Sequence, residues 1–406
     1  MTDASPFPQK QTESGLAARA PISVFLMSNT LETGGSERQF VTMAHALDRD
    51  RFLVSLGCIK RTGPFVKEVD EVIEFSPGGN LFGVRSWRAR LRLAQFLKEK
   101  QVRVAHAFDF YSNLTLIPAA RWAGVEVVLG SHRQLGDLLT TAKFRAQRHA
   151  FRFCDCVVCN SRAAADSLRA AGVPESKLAV IPNGLPETAF ARAAPALPAD
   201  PRVFRIGMIS RMNDPIKRHD LFLRVAAKLA PRFQQMQFVL VGDGPARPGL
   251  EKLHQELALA GRAIFLGDRR DVGAVLASLD VSVLPSASES LSNVILESMA
   301  AGVAVVAANV GGNPELIEHE HTGLLFPAGD EEKFAAALER LAMQADLRKQ
   351  LGNAARERAR SRYSIGIVRQ QFQDLYQGLL SEKAQPDSVG HNPIPAVKST
   401  PEGLSR

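Results

Sequence analysis

Glu289 and Glu297 stand with seven residues between them in the run Ser288-Glu289-Ser290-Leu291-Ser292-Asn293-Val294-Ile295-Leu296-Glu297-Ser298-Met299. The pattern predicts that Glu289 lies in a loop after a strand and Glu297 inside the helix that follows. That helix is apolar nearly all round, through Val294, Ile295, Leu296, Met299, Ala300 and Ala301, so it is expected to be buried. A carboxylate within it is costly unless something hydrogen-bonds it. A ribose diol supplies two donors; a structural Arg or Lys is the other reading.

A second run, Ser210-Arg211-Met212-Asn213-Asp214-Pro215-Ile216-Lys217-Arg218-His219, follows an apolar strand. Asp214 as N-cap and Pro215 as first helical residue predict a helix start. Lys217, Arg218 and His219 then fall in the first turns, where the helix dipole disfavours cations. A diphosphate held by Arg211 and Lys217, with helix N–H groups assisting, accounts for them. The alternative is a solvated basic turn. A third run, Thr33-Gly34-Gly35-Ser36-Glu37, joins the first strand to the first helix. Its glycines allow close approach of backbone to a ligand, and Ser36 with Gln39 reads as a capping box.

These runs are punctuation in an alternation of strands and helices, the signature of a parallel α/β architecture. In the first half, strands are predicted at 22–27, 53–59, 102–106, 125–129 and 155–159. Helices fit at 37–47, 86–100, 112–123, 142–153 and 162–171. Pro195, Pro198 and Pro201 mark a linker. A second series follows, with strands at Phe204–Ile209, 237–241, 263–266, Val281–Leu284, 303–307 and Leu324–Phe326. Its helices are expected at 215–230, 248–260, 272–278, Asn293–Ala301 and 331–360, the last broken near Gly352. An amphipathic stretch at 365–380 ends the ordered pattern. The resulting division is a flexible leader (1–20), a first Rossmann-like domain (21–190), a linker (191–202), a second Rossmann-like domain (203–363), a terminal helix (364–383) and a disordered tail (384–406). Ligands of doubly wound sheets bind at the carboxyl ends of the strands, and two such domains in tandem make a cleft there.

At 406 residues the chain is long enough for two domains. It shows no apolar run of membrane-spanning length, and its polar start lacks the core of a signal peptide. With four cysteines and no export signal, a cytoplasmic location is expected. The formal charge of +8 favours anionic partners, and most of the surplus lies in the first 200 residues. Nucleic acid is disfavoured, because only two Trp and three Tyr are present and no binding module is legible. Cys154, Cys156 and Cys159 lack a fourth ligand for a structural zinc site and read as small core hydrophobes. Asp48-Arg49-Asp50 reads as a solvated turn. Gly242-x-Gly244 has Arg247 where a dinucleotide fingerprint needs Gly, which argues against NAD.

In order and spacing these motifs resemble glycosyltransferase family 4 (group 1), the retaining group with the GT-B fold. Its paired glutamates precede a Met-Ala-x-Gly-x-x-Val-Val run, here Met299-Ala300-Ala301-Gly302-Val303-Ala304-Val305-Val306. The resemblance spans about residues 22–380. It also takes in Gly34-Gly35-Ser36-Glu37-Arg38, Asn160-Ser161, Ile181-Pro182-Asn183-Gly184, Gly242-Asp243-Gly244-Pro245 and Gly311-Gly312-Asn313-Pro314-Glu315. It implies a nucleotide-diphosphate-sugar donor in the second domain and a glycan or lipid-linked acceptor in the first. Polysaccharide or glycoconjugate synthesis is the implied setting, with no metal and no cofactor. By that resemblance Arg211 and Lys217 hold the diphosphate, Glu297 the ribose, and Glu289 the donor sugar. Leu291, Ser292 and Asn293 offer backbone contacts, Gly35 faces the phosphates, and the final helix crosses back onto the first domain. The departures are Ser290 where Gly is usual, Ser292 where Pro is usual, six steps rather than five from Arg211 to Lys217, and Leu185 after the Asn-Gly pair in place of Asp.

His106 and His132 end predicted strands on the cleft side. His132, followed by Arg133 and a loop, is the better candidate for a catalytic or sugar-binding role; a structural His is the alternative for each. Arg85, Arg88, Arg90, Arg92, Lys98 and Lys100 share a predicted helix with Trp87, Leu91, Leu93, Phe96 and Leu97, and Lys143, Arg145, Arg148 and Arg152 make a second basic helix. Facing one way, they would attract an anionic membrane surface; otherwise the apolar residues face the sheet. Two rival functions share the architecture: a sugar-nucleotide epimerase and a catalytically silent nucleotide-binding protein.

Overall fold

The structure, a computed structural model, describes residues 20–78, 83–137, 139–213 and 215–384. The leader and tail read from the sequence, and Asp214, lie outside the described residues. The first sheet is built from β1 (Ile22–Ser28), β2 (Phe52–Cys58), β3 (Ile73–Glu74), β4 (Val104–Ala107), β5 (Val127–His132), β6 (Cys156–Cys159) and β7 (Leu178–Val180). Between them run α1 (Gly35–Ala46), α2 (Val84–Glu99), α3 (Phe110–Ala123), α4 (Thr141–Phe151) and α5 (Arg162–Ala170). All pairings are parallel, in the order β3-β2-β1-β4-β5-β6-β7. Strands β4, β5 and β6 are buried at every residue, as expected of parallel strands covered on both faces.

The second sheet comprises β8 (Phe204–Ile209), β9 (Met236–Val241), β10 (Ala263–Phe265), β11 (Val281–Leu284), β12 (Ala304–Ala308) and β13 (Leu324–Phe326). Its helices are α6 (His219–Leu229), α7 (Arg247–Glu256), α8 (Val272–Leu276), α9 (Asn293–Ala301), α10 (Asn313–Leu316), α11 (Glu331–Met343) and α12 (Ala345–Tyr363). The order β10-β9-β8-β11-β12-β13 is again wholly parallel and is the doubly wound 3-2-1-4-5-6 arrangement. In both sheets the order reverses beside the first strand. Loops leaving β1 and β11 touch, as do those leaving β6 and β11, so the carboxyl ends of the two sheets face each other. The fold is GT-B.

The last helix, α13 (Ile365–Ala384), leaves the second domain and packs Val368, Phe372, Tyr376 and Leu379 into the core of the first. Its Tyr376 hydroxyl lies 2.8 Å from His106 Nδ1, and Ser131 Oγ lies 2.8 Å from the other ring nitrogen. Burial pushes His106 down to about 3, and its ring is structural. The helix break expected near Gly352 falls instead at Gln344. Gly352 sits inside α12, where a Cβ would come 2.2 Å from the Gly302 carbonyl oxygen; glycine here permits close contact with the end of α9. The short strands β3 and β7 carry too few residues for the apolar pattern to reveal them. All four cysteines are buried and free. Among the described residues no cluster of three or more His, Cys, Asp or Glu side chains is arranged to hold a metal, and no helix is long and apolar enough to cross a membrane.

Candidate functional site

The basic loop after β8 adopts a conformation the sequence did not suggest. Pro215–Lys217 is a single 3-10 turn, and Arg218 at φ 57° breaks the backbone before α6 begins at His219. Lys217 and Arg218 therefore lie ahead of the helix, not in its first turns, so the dipole argument for a bound anion does not hold for them. The glycines of Gly242-Asp243-Gly244 support the loop from below. A Cβ on Gly242 would meet the Ser210 carbonyl oxygen at 2.1 Å, and one on Gly244 would meet the Met212 carbonyl carbon at 2.6 Å. Arg211 projects exposed from this turn and forms no ion pair among the described residues.

Lys217 reaches across to the loop after β11, where its Nζ lies 2.5 Å from Glu289 Oε1. Ser286 Oγ donates to the same oxygen at 2.7 Å. The second Glu289 oxygen makes no hydrogen bond among the described residues. The backbone here is clamped from behind by Gly311 and Gly312: Gly312 N–H donates to the Glu289 carbonyl at 3.0 Å, and a Cβ on either glycine would come within 1.8 Å of a carbonyl oxygen.

The next three residues open α9. Ser292 caps it, its Oγ accepting from Ile295 N–H at 3.3 Å, which explains how Ser serves where Pro is usual. The N–H groups of Leu291, Ser292 and Asn293 have no acceptor among the described residues, an arrangement suited to an anion at a helix N-terminus. Asn293 Nδ2 donates to the Gly35 carbonyl at 3.2 Å, and Asn183 Nδ2 donates to Asn293 Oδ1 at 2.7 Å. Gly35 thus stands directly opposite this loop. The capping box expected at Ser36 does not form. Gln39 turns instead to Gly184, accepting from its N–H at 2.8 Å and donating to its carbonyl at 3.1 Å.

Glu297 lies one turn into α9, half-buried, with no hydrogen-bond partner among the described residues. Burial pushes its carboxyl up to about 7, with Arg38 pulling the other way. No Arg or Lys forms an ion pair with it among the described residues, and Arg38 acts on it only through its charge. Cross-domain contacts flank this group. Ser290 Oγ donates to Asn160 Oδ1 at 2.6 Å, and Glu315 accepts from the N–H groups of Arg162 and Ala163 at 2.8 and 2.9 Å. The sequence reading quoted Asn160 and Glu315 without a role; their positions across the cleft supply one.

His132 is not at this site. It is fully buried, its Nε2 3.2 Å from Ser167 Oγ, with Phe144 and Phe151 around it, and burial pushes it down to about 4. Its neighbours do face the cleft. Ser131 and Arg133 line a cavity of about 240 Å³ on the first domain, together with Glu37, Asp109, Lys143 and Gln147. Asp109 follows β4 at the carboxyl edge, the position where ligand-facing residues of such sheets occur; no periodic signal marks it in the sequence.

Two facing Rossmann-like domains, with free N–H groups at a helix start on one and a polar cavity on the other, make the GT-B arrangement. Residues 203–344 match the model for glycosyl transferases group 1, and residues 33–188 match that for glycosyltransferase family 4. The chain is 31% identical over 327 residues to the alpha-D-kanosaminyltransferase of Streptomyces kanamyceticus, covering 73% of this chain and 81% of that protein. It is 29% identical over 364 residues to LpsE, a lipopolysaccharide core biosynthesis glycosyltransferase of Rhizobium meliloti, covering 86% and 96%. Among solved structures, Anabaena HepE in complex with UDP-glucose superposes with a TM-score of 0.77 at 22% identity, covering 88% of this chain and 100% of that one. The chain belongs to glycosyltransferase family 4, group 1, and is a glycosyltransferase.

Proposed function

We propose that the protein transfers a sugar from a nucleoside-diphosphate donor to a glycan or lipid-linked acceptor with retention at the anomeric carbon and without a metal. The observation that carries this reading is a set of groups unsatisfied among the described residues on the loop after β8, the loop after β11 and α9: Arg211 without an ion pair, three N–H groups at residues 291–293 without acceptors, and Glu297 without donors. A donor's diphosphate and ribose diol satisfy all three at once. UDP-glucose bound to the similar fold of HepE supports a nucleotide sugar, and the function named for LpsE supports an acceptor in cell-surface glycan synthesis. Arg211, Lys217 and the N–H groups stabilise charge as the phosphate departs, which is the work a metal would otherwise do. Glu289, oriented by Lys217 and Ser286, faces the donor sugar. With His132 folded away from the cavity, the leaving phosphate takes the acceptor proton on the front face.

The reading includes work at a membrane surface. Trp87 and Trp122 stack in the open, ring centroids 5.0 Å apart, beside exposed Val84 and Leu91 and the exposed Arg85, Arg88 and Arg92. Of the basic run, Arg90 turns inward to the Leu114 carbonyl and Ser86, and Phe96 packs on Phe25 and Phe75. Nuclear magnetic resonance of the first-formed product tests the main claim: retention in buffer containing EDTA is expected, and inversion or a strict metal requirement would refute it. Co-sedimentation with anionic vesicles tests the second. Trp87→Ala/Trp122→Ala is expected to abolish it, and equal, negligible binding of the unaltered protein to anionic and neutral vesicles would remove it.

A further inference from the structure

The cavity on the first domain is lined by two cations, Arg133 and Lys143, that form no ion pair among the described residues. Arg133 lies at its floor, half-buried. Its Nη1 donates to Asn183 Oδ1 at 2.7 Å, and its guanidinium sits 5.2 Å from the centroid of the Phe108 ring. Its Nε is buried and has no partner among the described residues, and burial pushes the group down to about 10. No carboxylate pairs with it among the described residues. Lys143, on the first turn of α4 at the cavity rim, is also without an ion pair there; its Nζ lies 5.9 Å from the Tyr111 ring centroid. A guanidinium whose Nε is shut off from water without an acceptor carries an uncompensated cost.

Two acids line the same cavity, yet neither serves these cations. Asp109 caps α3, with Oδ1 accepting from Ser112 N–H at 3.0 Å and Oδ2 from Asn29 N–H at 2.5 Å. Glu37 folds back against its own helix start at Gly34, facing Arg211 across the cleft. A further buried atom, Gln147 Oε1, is an acceptor without a donor among the described residues. Arg133 Nε and Gln147 Oε1 thus keep hydrogen-bonding capacity that no described residue meets.

We infer that this cavity selects an acceptor sugar carrying an acidic substituent, a carboxylate or a phosphate ester, which Arg133 and Lys143 receive while Gln147 accepts from a ring hydroxyl. The inference rests on the glycosyltransferase reading above and adds the acceptor's chemical class. A guanidinium suits either anion through paired N–H groups. Arg133 also donates to Asn183, which donates to Asn293 at the donor loop, so the anion's seat is tied to the loop that meets the diphosphate.

Calorimetric titration of the UDP-saturated protein with three probes tests it: methyl glucoside, methyl glucuronide and glucose 6-phosphate. At least one acidic probe is expected to bind about tenfold or more tighter than the neutral glucoside, roughly one charge-assisted hydrogen bond. The carboxylate and phosphate arms show which anion is preferred. Arg133→Gln is expected to erase the preference while UDP affinity holds, and Arg133→Lys to restore part of it. Lys143→Ala, at the exposed rim, is expected to narrow the preference even if Arg133 variants fail to fold. Equal or absent binding of both acidic probes overturns the inference, as does a preference that survives Arg133→Gln. Failure of the unaltered protein to bind UDP would instead strike the function proposed above, and is read separately.

Discussion

Lys217 and Glu289, 72 positions apart in the chain, meet with Nζ 2.5 Å from Oε1, and Ser286 donates to that same oxygen. The contact joins the loop after β8 to the loop after β11, so the diphosphate-side cation and the sugar-side carboxylate orient one another. Lys217→Ala is expected to lower turnover by about 10²- to 10³-fold, as for loss of a group stabilising leaving-group charge. Lys217 keeps 30% of its side-chain exposure but Glu289 only 9%, so losing the cation leaves a largely buried carboxylate with Ser286 alone and is expected to cost about 1–3 kcal/mol. Nucleotide release and urea unfolding of the same variant measure the two effects. Activity within about tenfold of the unaltered protein would separate this pair from the reaction.

Glu297 offers a prediction in protons. Its carboxyl, lifted by burial to about 7, is partly protonated near neutrality when nothing donates to it. Two ribose hydroxyls favour the charged form, so nucleotide binding at pH 6–7 is expected to release protons. Titration in buffers of different ionisation enthalpy measures the release, and Glu297→Gln should abolish it. The stability sign follows from the same shift: the folded protein holds this proton above the ordinary carboxylate range, so between about 4.5 and 7 the fold loses stability as pH rises. In Glu297→Gln that loss is expected to shrink.

The alternation of strands and helices and the chemistry of the Glu289–Glu297 run were legible because each is local. A buried strand such as Val281–Leu284 and an apolar helix such as Asn293–Ala301 declare themselves within a few residues. Partners chosen by tertiary contact were not legible. Gln39 satisfies Gly184, 145 positions away, and not its own helix end, while Lys217 answers Glu289 and leaves the helix dipole aside. His132 was a candidate because it ends a strand at the cleft; side chains on a strand alternate between faces, and Ser131 and Arg133 line the cavity while His132 packs with Phe144 and Phe151. The position was readable, and the face was not.

His106 links the terminal helix to the first sheet, and its ring is held neutral at about 3 by burial. An imidazole with a folded-state value below its unfolded one takes up a proton more readily when unfolded. Stability is therefore expected to be full above about 6.5 and to fall as pH drops toward 3. Buried His132 and His219, each pushed down to about 4, act in the same direction. Tyr376→Phe removes the partner of His106 Nδ1 and is expected to cost about 1–3 kcal/mol, seen as a lower urea midpoint at pH 7. An unchanged midpoint would mean that α13 is held by packing alone.

Ser290 stands where the family usually has Gly, and its side chain bonds to Asn160 on the opposite domain at 2.6 Å, with Ser161 Oγ 3.4 Å away. Both partners are buried, so the contact forms only when the domains are together. A loss at this position acts on the equilibrium between open and closed cleft and not on the reacting atoms. Ser290→Gly removes the hydroxyl and leaves Asn160 Oδ1 to water once the cleft opens. We expect a several-fold rise in donor KM, on the scale of about 1 kcal/mol for one hydrogen bond, with kcat changed little. Small-angle scattering without nucleotide should show a larger radius of gyration for Ser290→Gly, and saturating UDP should narrow the difference. If KM and the scattering curve both match those of the unaltered protein, the Ser290–Asn160 bond contributes nothing to closure, and the work falls to Glu315 of α10, which accepts from the first N–H groups of α5.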